Sequence, residues 1–246
     1  MAKIFPMSTP PSPKILIVTN IRREGPGILA EVFGRARAPF EILDFEAGDS
    51  FPPPGEFSAL VVMGGPDSAN DKTPKMKTEL TRVREYVNAG VPYLGVCLGL
   101  QVLVKALGGK VVKSPVKEVG FRGPDGKFFE VDLTEEGRRD PLFQGIASPA
   151  KVFQLHGETV QLTPGMQLLA QGKFCPVQIV KAAPKAWGFQ GHFELTPEMF
   201  NHWKKEDTDL SWQDAAALDR DYAAIRKEYE TTGRQIAANF LAKIRG

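Results

Sequence analysis

The 246-residue sequence is poor in cysteine, with only Cys97 and Cys175. Two cysteines in a chain of this length cannot make the disulfide framework of a small secreted domain. We therefore expect a reducing, cytoplasmic environment with at least one free thiol. The N-terminal stretch has no long apolar region and no small-residue cleavage site, so it does not resemble a signal peptide. Its Pro and Ser content predicts a flexible leader over residues 1–13.

An excess of charge is also lacking, since 31 Lys and Arg face 29 Asp and Glu, for a net charge of +2. This balance gives no electrostatic reason to expect a nucleic acid or a membrane surface as a partner. No apolar run approaches the roughly 18 residues of a transmembrane helix. No closely spaced Cys or His pairs predict a metal site. Neither a Walker pattern nor G-x-G-x-x-G, the two glycine-rich motifs that bind phosphate groups, is present. We expect no cofactor.

Short apolar strands alternate with helical segments over the first 109 residues. The runs 14–20 and 59–63 are apolar on both faces, as buried parallel strands are. This alternation predicts a parallel sheet with helices on both faces. The predicted strands are 14–20, 41–45, 59–63 and 91–97, and the predicted helices are 27–37, 73–88 and 98–107.

The pattern changes after Gly109, where shorter strands with hairpin-like turns are expected over 110–134 and 152–160, followed by a strand region at 177–190. From Pro197 the sequence predicts helices, most clearly at 214–226 and 229–244. We expect 14–196 to form one domain and 197–246 a helical extension packed on it. The extension carries aromatic residues that fit core packing, with a docking surface for a partner as the alternative: Trp203, Trp212, Tyr222 and Tyr229.

The strongest local motif is Gly95-Val96-Cys97-Leu98-Gly99, at a predicted strand-to-helix junction. A nucleophile elbow needs this sharp turn, with small residues two before and two after the nucleophile. The adjoining helix N-terminus would favour a thiolate. A small buried cysteine in a glycine-rich turn is the alternative. The motif and its flanking elements favour Cys97 as a nucleophile.

A cysteine nucleophile commonly needs a histidine base, which often needs an orienting group. His192 and Glu194 lie two residues apart at a predicted strand end, so their side chains point to the same side. Glu194 could accept the ring N–H and fix the tautomer. Without the elbow, an incidental His and Glu at a solvated strand end would be the better interpretation.

These motifs together resemble the class I glutamine amidotransferase domain, and more narrowly the domain that supplies ammonia to GMP synthetase. The resemblance runs collinearly over about residues 14–196. It rests on motifs that follow one another in the family's order: Gly-Gly-Pro at 64–66, GVCLGLQ at 95–101, KEVGF at 117–121, HGE at 156–158 and QGHFE at 190–194. It implies an open, mainly parallel, flavodoxin-like α/β fold. The family usually has Phe at Gly191, Pro at Phe193 and Asp at Glu158, which bears on the subfamily and substrate.

The resemblance implies a glutaminase reaction, in which Cys97 attacks the glutamine side-chain amide and His192, oriented by Glu194, transfers the protons. It implies an oxyanion hole from the N–H groups of Gly65 and Leu98. It also implies substrate contacts, which we assign to Gln101, Glu118, Gly120 and His156. For His156 a structural role is at least as well supported by the sequence. Taken alone, Gly64-Gly65-Pro66 is better interpreted as a tight turn that ends a strand.

Three functions remain open at this stage. The first is an amidase that hydrolyses glutamine and passes ammonia to a partner or acceptor, such as a synthetase that the 246 residues do not encode. The second is a hydrolase of γ-glutamyl amides or peptides without an acceptor. The third is a non-catalytic regulatory relative, which the presence of Cys97, His192 and Glu194 disfavours. The acceptor, the partner and the oligomeric state are not specified by the sequence.

Overall fold

A computed structural model describes residues 14–245, so the expected leader at 1–13 lies outside the described residues. The strands are β1 Lys14–Thr19, β2 Phe40–Asp44, β3 Phe57–Val62, β4 Tyr93–Val96, β5 Lys110–Gly120, β6 Glu130–Leu133, β7 Ala150–Lys151, β8 Gln154–Gln161, β9 Gln167–Gly172, β10 Ile179–Ala183 and β11 Ala186–Phe189. The helices are α1 Gly27–Arg35, α2 Pro74–Asn88, α3 Leu98–Ala106, α4 Glu135–Arg139, α5 Pro197–Glu206, α6 Thr208–Ser211 and α7 Ala215–Arg245.

The main sheet has the strand order β2-β1-β3-β4-β11-β10-β9-β6-β7. The first five strands pair in parallel, in the order expected of a flavodoxin-like sheet. The last four are added through antiparallel pairings. Strands β5 and β8 form a separate antiparallel ribbon. The expected α/β class, with an open and mostly parallel sheet, is confirmed.

Helices cover both faces of the parallel strands, because the strands are apolar on both sides. Alternate residues of β1 belong to two different hydrophobic clusters: Ile15 and Ile17 pack toward α1 and α7, and Leu16 and Val18 pack toward α2 and α3. The sheet is therefore fixed between two helical layers, which leaves its carboxyl edge as the place for a site.

Two predicted segments differ in detail from the structure. The strand region at 177–190 is a hairpin of β10 and β11, in which Ala183 pairs with Ala186 across a turn containing Pro184. The two helical stretches predicted at 214–226 and 229–244 form the single helix α7, since Lys227 and Glu228 between them are compatible with a helix.

The helices after Pro197 pack against the rest of the chain. Trp203, Tyr222 and Tyr229 are buried in one aromatic cluster, whereas Trp212 is 86% exposed. Helix α7 packs against α1 on one face of the sheet. The division of the chain at residue 197 stays a prediction.

No helix within residues 14–245 is long and apolar enough to cross a membrane.

Candidate active site

Two neighbouring parallel strands bring Cys97 and the segment 190–194 to the same edge of the sheet. Strands β4 and β11 pair in register, with Val96 opposite Phe189. The Cys97 N–H donates a hydrogen bond to the Phe189 carbonyl at 2.7 Å. The segments that follow β4 and β11 then leave the sheet at its carboxyl edge, where open α/β sheets bind their ligands.

Cys97 occupies a strained turn between β4 and α3. Its φ of 51° and ψ of −105° lie outside the conformations that a non-glycine residue normally adopts. The turn depends on close backbone approach, since a Cβ on Gly95 would lie 2.5 Å from the Gly99 carbonyl and a Cβ on Gly99 would overlap the Val62 carbonyl. These contacts explain why glycine flanks the cysteine on both sides.

The Cys97 thiol lies at the N-terminus of α3 and is 6% exposed. Its Sγ lies 3.7 Å from the Leu155 carbonyl oxygen and 3.9 Å from Gln190 Nε2. The helix N-terminus carries partial positive charge at this position.

His192 and Glu194 form a fully buried pair. His192 Nδ1 lies 2.8 Å from Glu194 Oε1, and the other carboxylate oxygen accepts a hydrogen bond from the Phe193 N–H at 2.9 Å. Burial opposes a positive ring, but the Glu194 charge and the Cys97 side chain outweigh it and hold the pKa of His192 well above its usual value. His192 Nε2 makes no hydrogen bond of normal geometry among residues 14–245, although the Cys97 side chain is near enough to raise the pKa of the ring, so its proton is available to the thiol or to a substrate.

The helices that follow the segment hold His192 in place. The Trp203 ring contacts the imidazole edge-on with a centroid distance of 4.8 Å, and its Nε1–H donates to the Arg23 carbonyl. Tyr229 donates its hydroxyl hydrogen to the His192 carbonyl at 3.0 Å and accepts from the Leu195 N–H at 3.1 Å. The C-terminal helices therefore fix both the ring and the backbone of this residue.

A pocket of about 360 Å³ opens in front of Cys97. Four predicted site residues line it: Gly65, Cys97, Gln101 and His156. His192 and Glu194 lie behind its wall, with no measurable exposure. The Leu98 side chain would lie 3.4 Å from a Cβ on Gly65, so the two predicted oxyanion residues are neighbours.

Glu118 and Gly120 do not line this pocket. Glu118 lies behind His156, whose Nε2 is 2.8 Å from Glu118 Oε2 and whose Nδ1 is 3.1 Å from the Glu158 carbonyl oxygen. Gly120, with φ of 89°, faces Gln213 and Leu218 instead. Glu118 can thus act on a ligand in the Cys97 pocket only through His156, and the assigned roles of these residues stay predictions.

Glu118, His156 and Cys175 offer potential metal-ligand atoms within 4.8 Å of one another. The three residues are far apart in the chain, so no sequence spacing predicts that they lie together. Its atoms already hydrogen-bond within the protein, because His156 pairs with Glu118 and the Cys175 thiol donates to Thr159 at 3.2 Å. Burial also raises the pKa of the Cys175 thiol, which disfavours the thiolate that a metal requires. The chemistry of the cluster is that of a hydrogen-bonded network.

Sequence reasoning did not single out Glu24, which lines the pocket with Cys97 and is 4% exposed. It follows β1 in the segment Arg22-Arg23-Glu24-Gly25, where its charge is ordinary for a surface loop. Only the fold brings it beside His192, so no local sequence signal marks it.

The family model described as "Glutamine amidotransferase class-I" matches residues 29–206, well over half of the chain. The chain belongs to the class I glutamine amidotransferase family.

Curated relatives agree with this assignment. The glutamine amidotransferase-like protein YfeJ of Salmonella typhimurium is 37% identical over 158 residues, which are 62% of this chain and 63% of that protein. The glutamine-hydrolysing GMP synthase of Tolumonas auensis is 30% identical over 189 residues, 70% of this chain but only 33% of the synthase. The chain spans between a fifth and a third of the length of the GMP synthases that it matches.

Solved structures share the fold over nearly the whole chain. A glutamine amido transferase from Methylobacillus flagellatus has a TM-score of 0.80 and 26% identity, over 94% of both chains. A glutamine amidotransferase from Thermotoga maritima has a TM-score of 0.81, with 93% of this chain and 97% of that one covered; its 24% identity speaks for the fold alone.

Proposed function

We propose that this chain hydrolyses the side-chain amide of glutamine through a glutamyl thioester on Cys97, and delivers the ammonia to an acceptor enzyme. The observation that carries the proposal is the free His192 Nε2, held by Glu194 through Nδ1 beside a cysteine in a strained elbow. A bonded Nδ1 and an unbonded Nε2 define a ring that is oriented but still able to transfer protons.

In the first half-reaction, the Cys97 thiolate attacks the amide carbon, and the bond from carbon to nitrogen breaks. His192 begins as the imidazolium, in keeping with its raised pKa, and gives its Nε2 proton to the departing nitrogen. Ammonia leaves, and the γ-glutamyl group remains as a thioester on Sγ. Glu194 retains the ring orientation throughout.

In the second half-reaction, the now neutral His192 takes a proton from water, which attacks the thioester carbon. Glutamate leaves and the Cys97 thiolate returns, with the proton on His192. The negative oxygen that develops in both steps needs backbone donors. We assign these to the N–H groups of Gly65, which lines the pocket, and of Leu98, whose side chain lies next to Gly65.

The pocket supports recognition of a small polar substrate. Gln101 and His156 present polar side chains to it, and Gln101 Nε2 donates to the Glu158 carbonyl at 3.2 Å. We assign these two residues to the substrate's polar groups. Glu118 orients His156, and Gly120 shapes the turn that follows Glu118.

The test is glutamine turnover by the purified chain, measured as ammonia and glutamate in equal amounts. We expect turnover by the wild type and none by Cys97→Ala. The matched control is Cys175→Ala, which removes the other buried thiol and should retain activity. Equal loss in both variants, or full activity of Cys97→Ala, would overturn the proposal.

The acceptor and the physiological partner follow from the same proposal. The GMP synthases that the chain resembles are glutamine-hydrolysing, which supports a synthetase as the partner. We expect the isolated chain to hydrolyse glutamine slowly and its partner to accelerate it, because such sites are often completed by the acceptor. Preference for γ-glutamyl peptides over glutamine by about tenfold in kcat/KM, unaffected by any partner, would instead support the hydrolase. Residence in the cytoplasm stays a prediction.

A further inference from the structure

The Glu24 side chain is a buried carboxylate without a hydrogen bond. Its side chain is 5% exposed, and no donor among residues 14–245 bonds to it. It forms an ion pair with the Arg23 guanidinium at 3.9 Å, which is itself engaged by Asp207 at 3.0 Å, and the His192 ring lies beside it as well. A buried carboxylate without donors is unfavourable, so this group is ready to accept hydrogen bonds from a ligand.

The position of Glu24 is specific to the reaction site. It lines the same pocket as Cys97. A Cβ placed on Gly64 would overlap Glu24 Oε2 and would lie 3.2 Å from His192 Cε1, so both atoms border one small space. Cε1 is the ring carbon between the two nitrogens, of which Nδ1 is held by Glu194 and Nε2 is the one left for a substrate. The carboxylate therefore flanks the proton-transferring side of the ring.

The nitrogen that leaves glutamine must come within hydrogen-bond reach of His192 Nε2 to receive its proton. The carbonyl oxygen goes to the backbone donors that we assign at Gly65 and Leu98. A carboxylate beside the oxyanion would be repulsive, but beside a nitrogen with two or three N–H groups it is attractive.

We propose that Glu24 is the binding site for the nitrogen that leaves, accepting hydrogen bonds from ammonia and, by microscopic reversibility, from any small neutral amine that attacks the thioester. The inference rests on the proposed glutaminase function. It makes Glu24 a catalytic residue that contacts the reacting nitrogen.

Each step balances without a further reagent. As the carbon–nitrogen bond breaks, the nitrogen takes the electron pair and the His192 proton, giving ammonia that donates an N–H to Glu24. Burial raises the pKa of Glu24 to about 7, against the opposing charges of His192 and Arg23 and with the support of Glu194 and Asp207. In the reverse direction, the attacking amine gives a proton to neutral His192 as the carbon–sulfur bond breaks, and the Cys97 thiolate is the leaving group.

The competing interpretation is that Glu24 acts on His192 alone, through its charge. That role would change transfer of the glutamyl group to water and to amines by the same factor. A direct contact with the nitrogen changes the reaction with amines more than the reaction with water, because an amine that gives one hydrogen to His192 keeps more hydrogens to donate to Glu24 than water does. The two roles are therefore separable by the partition of a single intermediate.

The experiment supplies glutamine and hydroxylamine together near pH 7 and measures γ-glutamyl hydroxamate and glutamate from the same reaction. The ratio of the two products reports how the thioester partitions, and it does not depend on the fraction of folded enzyme. We expect Glu24→Leu to lower the ratio at least about tenfold, the effect of losing one hydrogen bond to a charged group. Glu24→Gln, which keeps an acceptor without charge, should lower it less.

The matched control is Glu79→Gln. Glu79 is also fully buried with a pKa raised to about 7, but it accepts a hydrogen bond from Asn20 at 2.8 Å and does not line the pocket. Its variant should keep the wild-type ratio. An unchanged ratio in both Glu24 variants, with normal glutamine turnover, would overturn this inference alone. No turnover in the wild type would overturn the proposed function itself.

Discussion

Two buried histidine–glutamate pairs flank Cys97, and they differ in which ring nitrogen is left free. His192 and Glu194 come from one extended segment, whereas His156 and Glu118 come from the opposed strands β8 and β5. Both pairs have a nitrogen–oxygen distance of 2.8 Å. His156 also uses its second nitrogen, near the Glu158 carbonyl, but His192 does not.

This difference separates a reactive pair from a structural or binding one. A carboxylate partner orients an imidazole in either case, but only an unoccupied nitrogen can exchange protons with a substrate. The partners of Glu118 reinforce the contrast, since Gln178 Nε2 also donates to it at 3.0 Å. The His156 pair is thus part of a hydrogen-bonded network that uses both ring nitrogens. The His192 pair leaves Nε2 available for proton transfer to a substrate.

The largest expected contrast is between the two histidines. We expect His192→Asn to lower kcat/KM for glutamine by about 10⁴-fold, because both proton transfers lose their carrier. His156→Asn should cost only about tenfold, mainly through KM, as the loss of one substrate contact would. Steady-state kinetics of the two variants checks this. Equal losses would erase the proposed distinction, and a larger loss at His156 would reverse it.

The two glutamates should differ in the same direction. Glu194→Gln should lower kcat by about 10²- to 10⁴-fold, because the neutral amide neither supports the imidazolium nor fixes the tautomer. Glu118→Gln should leave kcat within about tenfold and act instead on stability, at about 1–3 kcal/mol, because it weakens a buried network. Kinetics and denaturant unfolding of both variants provide the comparison. A catalytic defect as large in Glu118→Gln would contradict it.

A smaller effect on activity is expected from Trp203, which contacts the ring of His192. Trp203→Phe keeps a ring beside His192 but removes the hydrogen bond to the Arg23 carbonyl. We expect a loss of stability of about 1–3 kcal/mol and a fall in kcat of no more than about tenfold. Trp212→Phe is the control, because Trp212 is 86% exposed. Indistinguishable unfolding of the two variants would show that α5 does not support the histidine.

The smallest expected effect is a dependence of stability on pH. The pKa of His192 is raised above 6.5 in the folded chain, so its stabilising interaction is fully present below about pH 6.5 and is lost as pH rises through the folded-state pKa. The free energy of unfolding of the wild type relative to His192→Gln should therefore fall by at least about 1 kcal/mol between pH 6 and pH 9. Denaturant titrations at both pH values measure it. A difference that grows with pH would mean that the ring is neutral when folded.

The parts of the fold and site predictable from the sequence are those that depend on local constraints. The elbow is visible because Gly95 and Gly99 must lie beside Cys97 in the chain, and His192 and Glu194 are visible as residues two apart on an extended segment. Alternating strands and helices similarly indicate the parallel strands. The prediction of one strand region at 177–190 misses the β10–β11 hairpin, although Pro184 is a residue type that favours a turn there.

Features created only by tertiary packing were not predictable. Glu24 reaches the pocket because α5 and the loop after β1 meet, through the hydrogen bond from Trp203 to the Arg23 carbonyl. The absence of a hydrogen bond at His192 Nε2 and the hydrogen bonds at both nitrogens of His156 likewise depend on residues far apart in the chain. The structure also explains one departure from the family, because a side chain at Gly191 would meet Val152 and Gln154 at 2.6 and 2.8 Å.

The central claim is that Cys97, activated by the open histidine pair, is the nucleophile, and covalent labelling tests it most directly. A glutamine-mimicking diazo ketone should add once per chain, with peptide mass spectrometry placing it on Cys97 and leaving the buried Cys175 unmodified. Labelling should slow sharply in His192→Asn and persist in His156→Asn. Modification of Cys175 instead, or a rate that depends on His156 rather than His192, would contradict the account.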